Sequence, residues 1–170
     1  MTSDTQHRYG TLSRWLHWGM AVFIGWQFLK FFDRINDGEH WVGQALVPWH
    51  VSIGTLLLLL VVLRLIWAGV NRGNRPASLS VWARLGHFLL YASMVLLPVT
   101  GIMILLGGGY GLAAFGMQLV PRGEPIAWMP TLGGVHSALA WIFVVMSAGH
   151  IVMALYHHFV KRDGVLDRVL

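Results

Sequence analysis

Four long apolar stretches, at residues 12–32, 48–70, 81–106 and 132–160, alternate with short polar segments along the chain. Each is long enough for a helix to cross the roughly 30 Å hydrocarbon layer of a bilayer. Pro48 suits a first helical turn, where its missing N–H is not needed, and Ser80 and Thr131 stand where N-caps belong. Pro98 with Gly101 is expected to kink the third stretch, and Gly107-Gly108-Gly109 to end it. The chain has no internal repeat and no low-complexity linker. The pattern therefore predicts one all-α membrane domain over residues 1–170, a bundle of four transmembrane helices. The first stretch is too long for the apolar region of a signal peptide, holds His17 and lacks a small-x-small cleavage site.

Composition narrows the chemistry. Of 170 residues, 56% are hydrophobic and 11% charged, and the mean hydropathy of +0.61 is too apolar for a soluble core of this size. The absence of cysteine excludes disulfides, thiolate metal sites and cysteine-ligated iron–sulfur clusters. A bound metal must take nitrogen, oxygen or thioether ligands.

The net charge of +5 is a topology signal. Arg8, Arg14, Arg64, Arg72, Arg75, Arg84, Lys161, Arg162 and Arg168 belong to the N-terminus, the 70–80 loop, the C-terminus and their flanks. Lys30, Arg34 and Arg122 belong to the other two loops. Nine cations against three places both termini in the cytoplasm. Subtracting Asp4, Asp163 and Asp167 leaves +6 inside, and subtracting Asp33, Asp37, Glu39 and Glu124 leaves −1 outside. Such a basic inner face favours anionic lipid, and nucleic acid is not an expected partner. Trp15, Trp18, Trp67 and Trp82 near inner ends, and Trp41, Trp49 and Trp128 near outer ends, fit the same frame.

Histidines carry the candidate chemistry. In the fourth stretch, His136, His150 and His157 have no charged residue among them. At about 100° and 1.5 Å per residue, His136 and His150 lie within about 40° on one helix face and about 21 Å apart, with His157 within about 20° of the same line. His50 matches the outer depth of His136, so one ligand can bridge them. His17 and His87 lie in the inner halves of the first and third stretches, and His150 and His157 bracket their depth. The outer layer thus holds two imidazoles and the inner layer four. A lone membrane histidine is as often an interhelical hydrogen-bonder. Six in two layers point to function, because ionisable groups in a membrane are costly. His7 and His40 read as solvated terminus and loop residues, and His158 as turned away from the His157 face.

Zinc wants three or four ligands, often carboxylates, and no Asp or Glu lies inside any span. Six-coordinate haem iron needs only two axial nitrogens on opposite sides of a flat apolar ring. Gly54, one turn from His50, would let a porphyrin approach the backbone. Arg14, Arg64 and Arg84 are placed either to meet haem propionates or to snorkel to the interface.

The motifs Arg14-Trp15-Leu16-His17-Trp18, Trp49-His50-Val51-Ser52-Ile53-Gly54, Val62-Leu63-Arg64-Leu65, Leu85-Gly86-His87 with Tyr91, Leu97-Pro98-Val99-Thr100-Gly101, and His136-Ser137 through His150 to Tyr156-His157-His158 resemble the bacterial cytochrome b561 family of four-helix, two-haem membrane proteins. The resemblance covers residues 9–161. It implies two haem b groups, one held by His50 and His136 and the other by His17 and His150. It also implies a ubiquinone site at His87 and His157, where imidazole hydrogen-bonds a quinone carbonyl and passes protons. A multi-pass place in the bacterial inner membrane follows from the same resemblance.

Small stand-alone members resemble superoxide:ubiquinone oxidoreductases. That makes superoxide the expected outer donor, with Lys30, Arg34 and Arg122 the cations available to steer it. A membrane subunit passing electrons between a soluble dehydrogenase or hydrogenase partner and quinone is the alternative, against which the short tails and loops weigh. A non-redox metal transporter is a second alternative.

Overall fold

The computed structural model describes residues 2–34, 37 and 39–170, without the side chain of Arg34. In chain order the helices are α1 (Thr11–Phe28), a short α2 (Trp41–Ala45), α3 (His50–Val70), α4 (Val81–Gly107), a short α5 (Trp128–Gly133) and α6 (His136–Tyr156). Between α4 and α5 an antiparallel hairpin pairs β1 (Leu112–Ala114) with β2 (Met117–Val120). Among the described residues three helical segments are long and apolar enough to cross a membrane: Trp41–Val70, Val81–Gly107 and Trp128–Lys161, with mean hydropathies of 2.4, 2.3 and 2.1. In α1, Arg14, His17 and Gln27 interrupt the apolar run. Its 18 residues still reach about 27 Å, and a 3-10 segment, Leu29–Arg34, extends it.

Three expectations change. The chain is not purely α: its 107–127 loop contains the hairpin. Phe115 and Gly116 at the turn both have positive φ, 51° and 77°, as the tight turn between twisted strands demands. Phenylalanine is strained there, and the turn is held by Phe115 N–H donating to Ser52 Oγ at 2.9 Å. Second, Thr131 caps nothing, because it lies inside α5, whereas Ser80 Oγ does accept from Ala83 N–H at 3.1 Å. Third, the last stretch is two helices. A Cβ on Gly133 would sit 2.6 Å from Ile104 Cγ1 and 3.2 Å from the Thr100 carbonyl. Backbone therefore packs on backbone, as small residues allow between membrane helices. The chain breaks after this contact and restarts α6 at His136.

The buried core is narrow. Met20 of α1 and Ile53, Leu57 and Val61 of α3 form it, with Tyr91, Met94 and Val95 of α4 against them. Most apolar side chains face outward instead, among them Leu59, Val62 and Ile66 of α3, Phe88 of α4, and Ile142, Val145 and Val152 of α6. Lipid solvates such a surface and water does not.

Both termini meet the α3–α4 loop at one end of the bundle. Tyr9 N–H donates to the Arg168 carbonyl at 3.0 Å, and Arg168 Nη1 donates to Ala77 at 3.2 Å. Buried Asp4 accepts from Gly10 N–H at 2.7 Å, Ser13 Oγ at 2.9 Å and Arg75 Nε at 2.9 Å. Burial alone would raise the Asp4 carboxyl, but these donors outweigh it and hold it below its ordinary value. Its stabilisation is therefore present above the unfolded value of about 3.9 and lost as pH falls through the lower folded one. Asp4→Asn is expected to cost about 1–3 kcal/mol at neutral pH. Thermal unfolding in detergent should show this difference, with the two proteins converging in strong acid.

Candidate functional site

At the end opposite the termini, two helix starts face each other. His50 begins α3 and His136 begins α6, with ring centres 6.2 Å apart and planes at 82°. Thr100 Oγ1 donates to the Leu96 carbonyl at 2.8 Å, the back-bond typical of a helical threonine. Its one proton is thereby used, so at 3.1 Å it accepts from His136 Nδ1. That arrangement favours the His136 proton on Nδ1, which would leave the lone pair on Nε2. Gly101 makes the room: a Cβ there would lie 3.2 Å from His136 Cε1.

At the termini end, His17 of α1 and His150 of α6 have ring centres 6.3 Å apart with planes at 56°. His87 of α4 stands closer to His150, at 5.5 Å. Arg64 of α3 enters this layer, donating from Nε to Tyr91 Oη at 3.0 Å and from Nη2 to His17 Nδ1 at 3.1 Å.

These separations test the fit of haem iron. Metal–nitrogen bonds of about 2.0 Å, with about 1.15 Å from each nitrogen to its ring centre, put two imidazoles across one metal about 6.3 Å apart. The His50–His136 and His17–His150 spacings match; the His87–His150 spacing is too short. Among the described residues no three His, Asp or Glu side chains form a metal cluster, as a zinc centre would require. Two-ligand iron needs none.

Other expected site residues fall as follows. The Gly54 face is taken by the Gln27 amide, whose Nε2 would lie 3.1 Å from a Cβ at 54. Arg14 Nη1 donates to Leu170 at 2.6 Å. His157 is tied to the C-terminal segment: its Nδ1 meets Asp163 Oδ2 at 2.6 Å. Lys30, ion-paired with Asp33, borders a cavity of about 660 Å³ that reaches His50. Arg122 is exposed beyond β2, and the Arg34 side chain lies outside the described residues. His40 is not merely solvated, since its Nδ1 accepts from Gly43 N–H at 3.2 Å and caps α2. Residue-by-residue reading of the histidines missed Thr100 and Gly101 as partners of His136. Their signal was position, since both lie in the outer half of the third stretch at the depth of His136.

The sequence model of the prokaryotic cytochrome b561 family matches residues 8–170. Cytochrome b561 homolog 2 of Escherichia coli (strain K12) is 31% identical, over 99% of this chain and 94% of its own. Probable superoxide oxidase CybB of Yersinia pestis is 27% identical, over 96% of each. Cytochrome b561 homolog 1 of Escherichia coli (strain K12) is 29% identical, over 96% and 97%.

Gly101→Val is expected to push the His136 ring aside and lower the haem bound per chain, measured by pyridine haemochrome assay. Gly69→Ala, where an added Cβ meets nothing within 4 Å, should leave haem content unchanged.

Proposed function

Because this chain belongs to the prokaryotic cytochrome b561 family, we propose that it spans the bacterial inner membrane four times and carries electrons from superoxide at the outer face to ubiquinone near the inner one. The observation that carries this reading is the pair of imidazole couples, spaced 6.2 and 6.3 Å at opposite ends of one apolar bundle. His50 and His136 would hold one haem b, and His17 and His150 a second. When bound, haem supplies a one-electron iron couple in each layer. The arginine-rich end, where both termini meet, is the cytoplasmic one.

The protein's own groups do the rest. Thr100 keeps the His136 proton on Nδ1. Arg64 can only donate, so His17 now accepts at Nδ1. Were His17 to hold a haem through Nε2, its proton would sit on Nδ1 and that guanidinium arm would be free for an acidic group such as a propionate. Tyr91 still anchors it. His87, nearer to His150 than two ligands on opposite sides of one metal would stand, is left to donate to a quinone carbonyl. Each quinone takes up two electrons and two protons. His157 and Asp163 lie on the proton side of that balance: the hydrogen bond from His157 holds the Asp163 carboxyl below its ordinary value, so at neutral pH it stays a carboxylate that orients the imidazole, and the imidazole is the group that passes protons inward from the cytoplasmic side.

At the outer face, the cavity that reaches His50 gives a small donor access to the ring; Lys30 borders it, but so do Asp33, which pairs with Lys30, and Asp37, so its charge does not by itself select an anion. Superoxide as that donor is supported by the relative named as a probable superoxide oxidase.

The test is haem content and turnover in variants. His50→Ala and His136→Ala are expected to lose one of two haems and keep the other. His87→Ala should retain both and reduce quinone at least tenfold more slowly, in line with loss of one proton-transfer group. Two haems in the first pair, or one in the last, would overturn the layer assignment. Failure of purified protein to form ubiquinol when supplied with superoxide would overturn the donor.

A further inference from the structure

We infer that Gln27 is the positioning residue of His50, with its side-chain oxygen accepting the Nδ1 proton of that ring and so setting how strongly the imidazole donates to iron. The inference rests on the reading of His50 as an axial ligand.

Gln27 sits in the last turn of α1 and reaches across to the first turn of α3. Its Nε2 donates to the His50 carbonyl at 3.0 Å. Its other amide atom, Oε1, is buried with no hydrogen-bond partner among the described residues, and so is Nδ1 of His50. The two residues are already joined through one hydrogen bond, and their orphaned atoms are complementary. A carboxamide oxygen only accepts, and a neutral imidazole bound to metal through Nε2 carries its proton on Nδ1. Unpaired polar atoms are expensive in an apolar bundle. Mutual pairing removes both at once, as metal-binding histidines commonly require of their second nitrogen. Gly54 keeps the place open, since a Cβ there would stand 3.1 Å from Gln27 Nε2.

The opposite ring already has such a partner in Thr100, 3.1 Å from His136 Nδ1. Gln27 thus completes a symmetrical support in which each imidazole of this layer faces one oxygen. An acceptor on Nδ1 makes the ring a better electron donor, stabilises ferric iron and lowers the potential of the haem it holds.

Potentiometric titration of the purified, haem-loaded protein tests this. Gln27→Leu, which removes the acceptor, is expected to raise the potential of the haem lost in His50→Ala and leave the other unmoved. Gln27→Glu, which keeps an acceptor oxygen and adds negative charge, should lower that potential. No shift in Gln27→Leu, an equal shift of both haems, or a rise in both variants overturns the inference. Should Gln27→Leu fail to retain the haem, Gln27→Glu decides alone: a lowered potential supports the role and an unchanged or raised one overturns it. Haem loss in His50→Ala is a separate readout, so the axial reading stands or falls independently of Gln27.

Discussion

An imidazole inside a membrane must give its two nitrogens to something, because neither water nor lipid will take them. That constraint organises this protein. At the end opposite the termini, the His136 Nδ1 proton is taken by Thr100, whose own proton is committed to the Leu96 carbonyl. In the proposed reading the remaining lone pair, on Nε2, is the one that would serve a haem. The placing of His136 in turn depends on two glycines of different use. Gly133 brings α5 against the backbone of α4, and Gly101 leaves the hollow that the ring enters. The break between α5 and α6 is the means by which a histidine becomes the first residue of a helix at the right height.

How much of this was legible in the sequence depends on the kind of information. The positions of three spans were, because hydrocarbon thickness imposes a length that composition reveals directly. The gathering of both termini with the α3–α4 loop was legible too, since arginine placement follows the same side of the membrane. The depth sorting of His50 with His136 needed only helical rise. It could not choose among four inner histidines, because depth says nothing about the angle at which helices face one another. Ring separation is a finer guide, since 6.3 Å for His17–His150 and 5.5 Å for His87–His150 are distinct once the helices are packed, and the proposed pairing follows the wider one.

Local geometry was the least legible. Gly54 reads as space for a large flat ring, yet the space is filled by Gln27 from a helix more than twenty residues earlier. The hairpin escaped notice because its turn is Phe115-Gly116 rather than the asparagine–glycine pair that signals such turns. Its strain is relieved by Ser52, a residue distant in sequence. His157 shares a helical stripe with His136 and His150 only while the helix stays regular. The backbone widens into a π-turn at His157–Lys161 and the ring goes to Asp163.

The two ends of the bundle differ in a way that matches two kinds of chemistry. Around His50 and His136 the supporting groups, Gln27 and Thr100, are neutral and have no proton to exchange at ordinary pH. Such a layer suits transfer of an electron alone, which is what a one-electron donor at the outer face would demand. The other layer adds His87 and Arg64, and beyond it the His157–Asp163 pair leads to the surface. These groups exchange protons or hold negative charge, and a quinone cannot be reduced to quinol without both electrons and protons arriving together. The asymmetry would be unnecessary in a simple wire, where both layers could share one kind of support. It fits the proposed reaction, in which the current would enter without protons at one face and leave with them at the other.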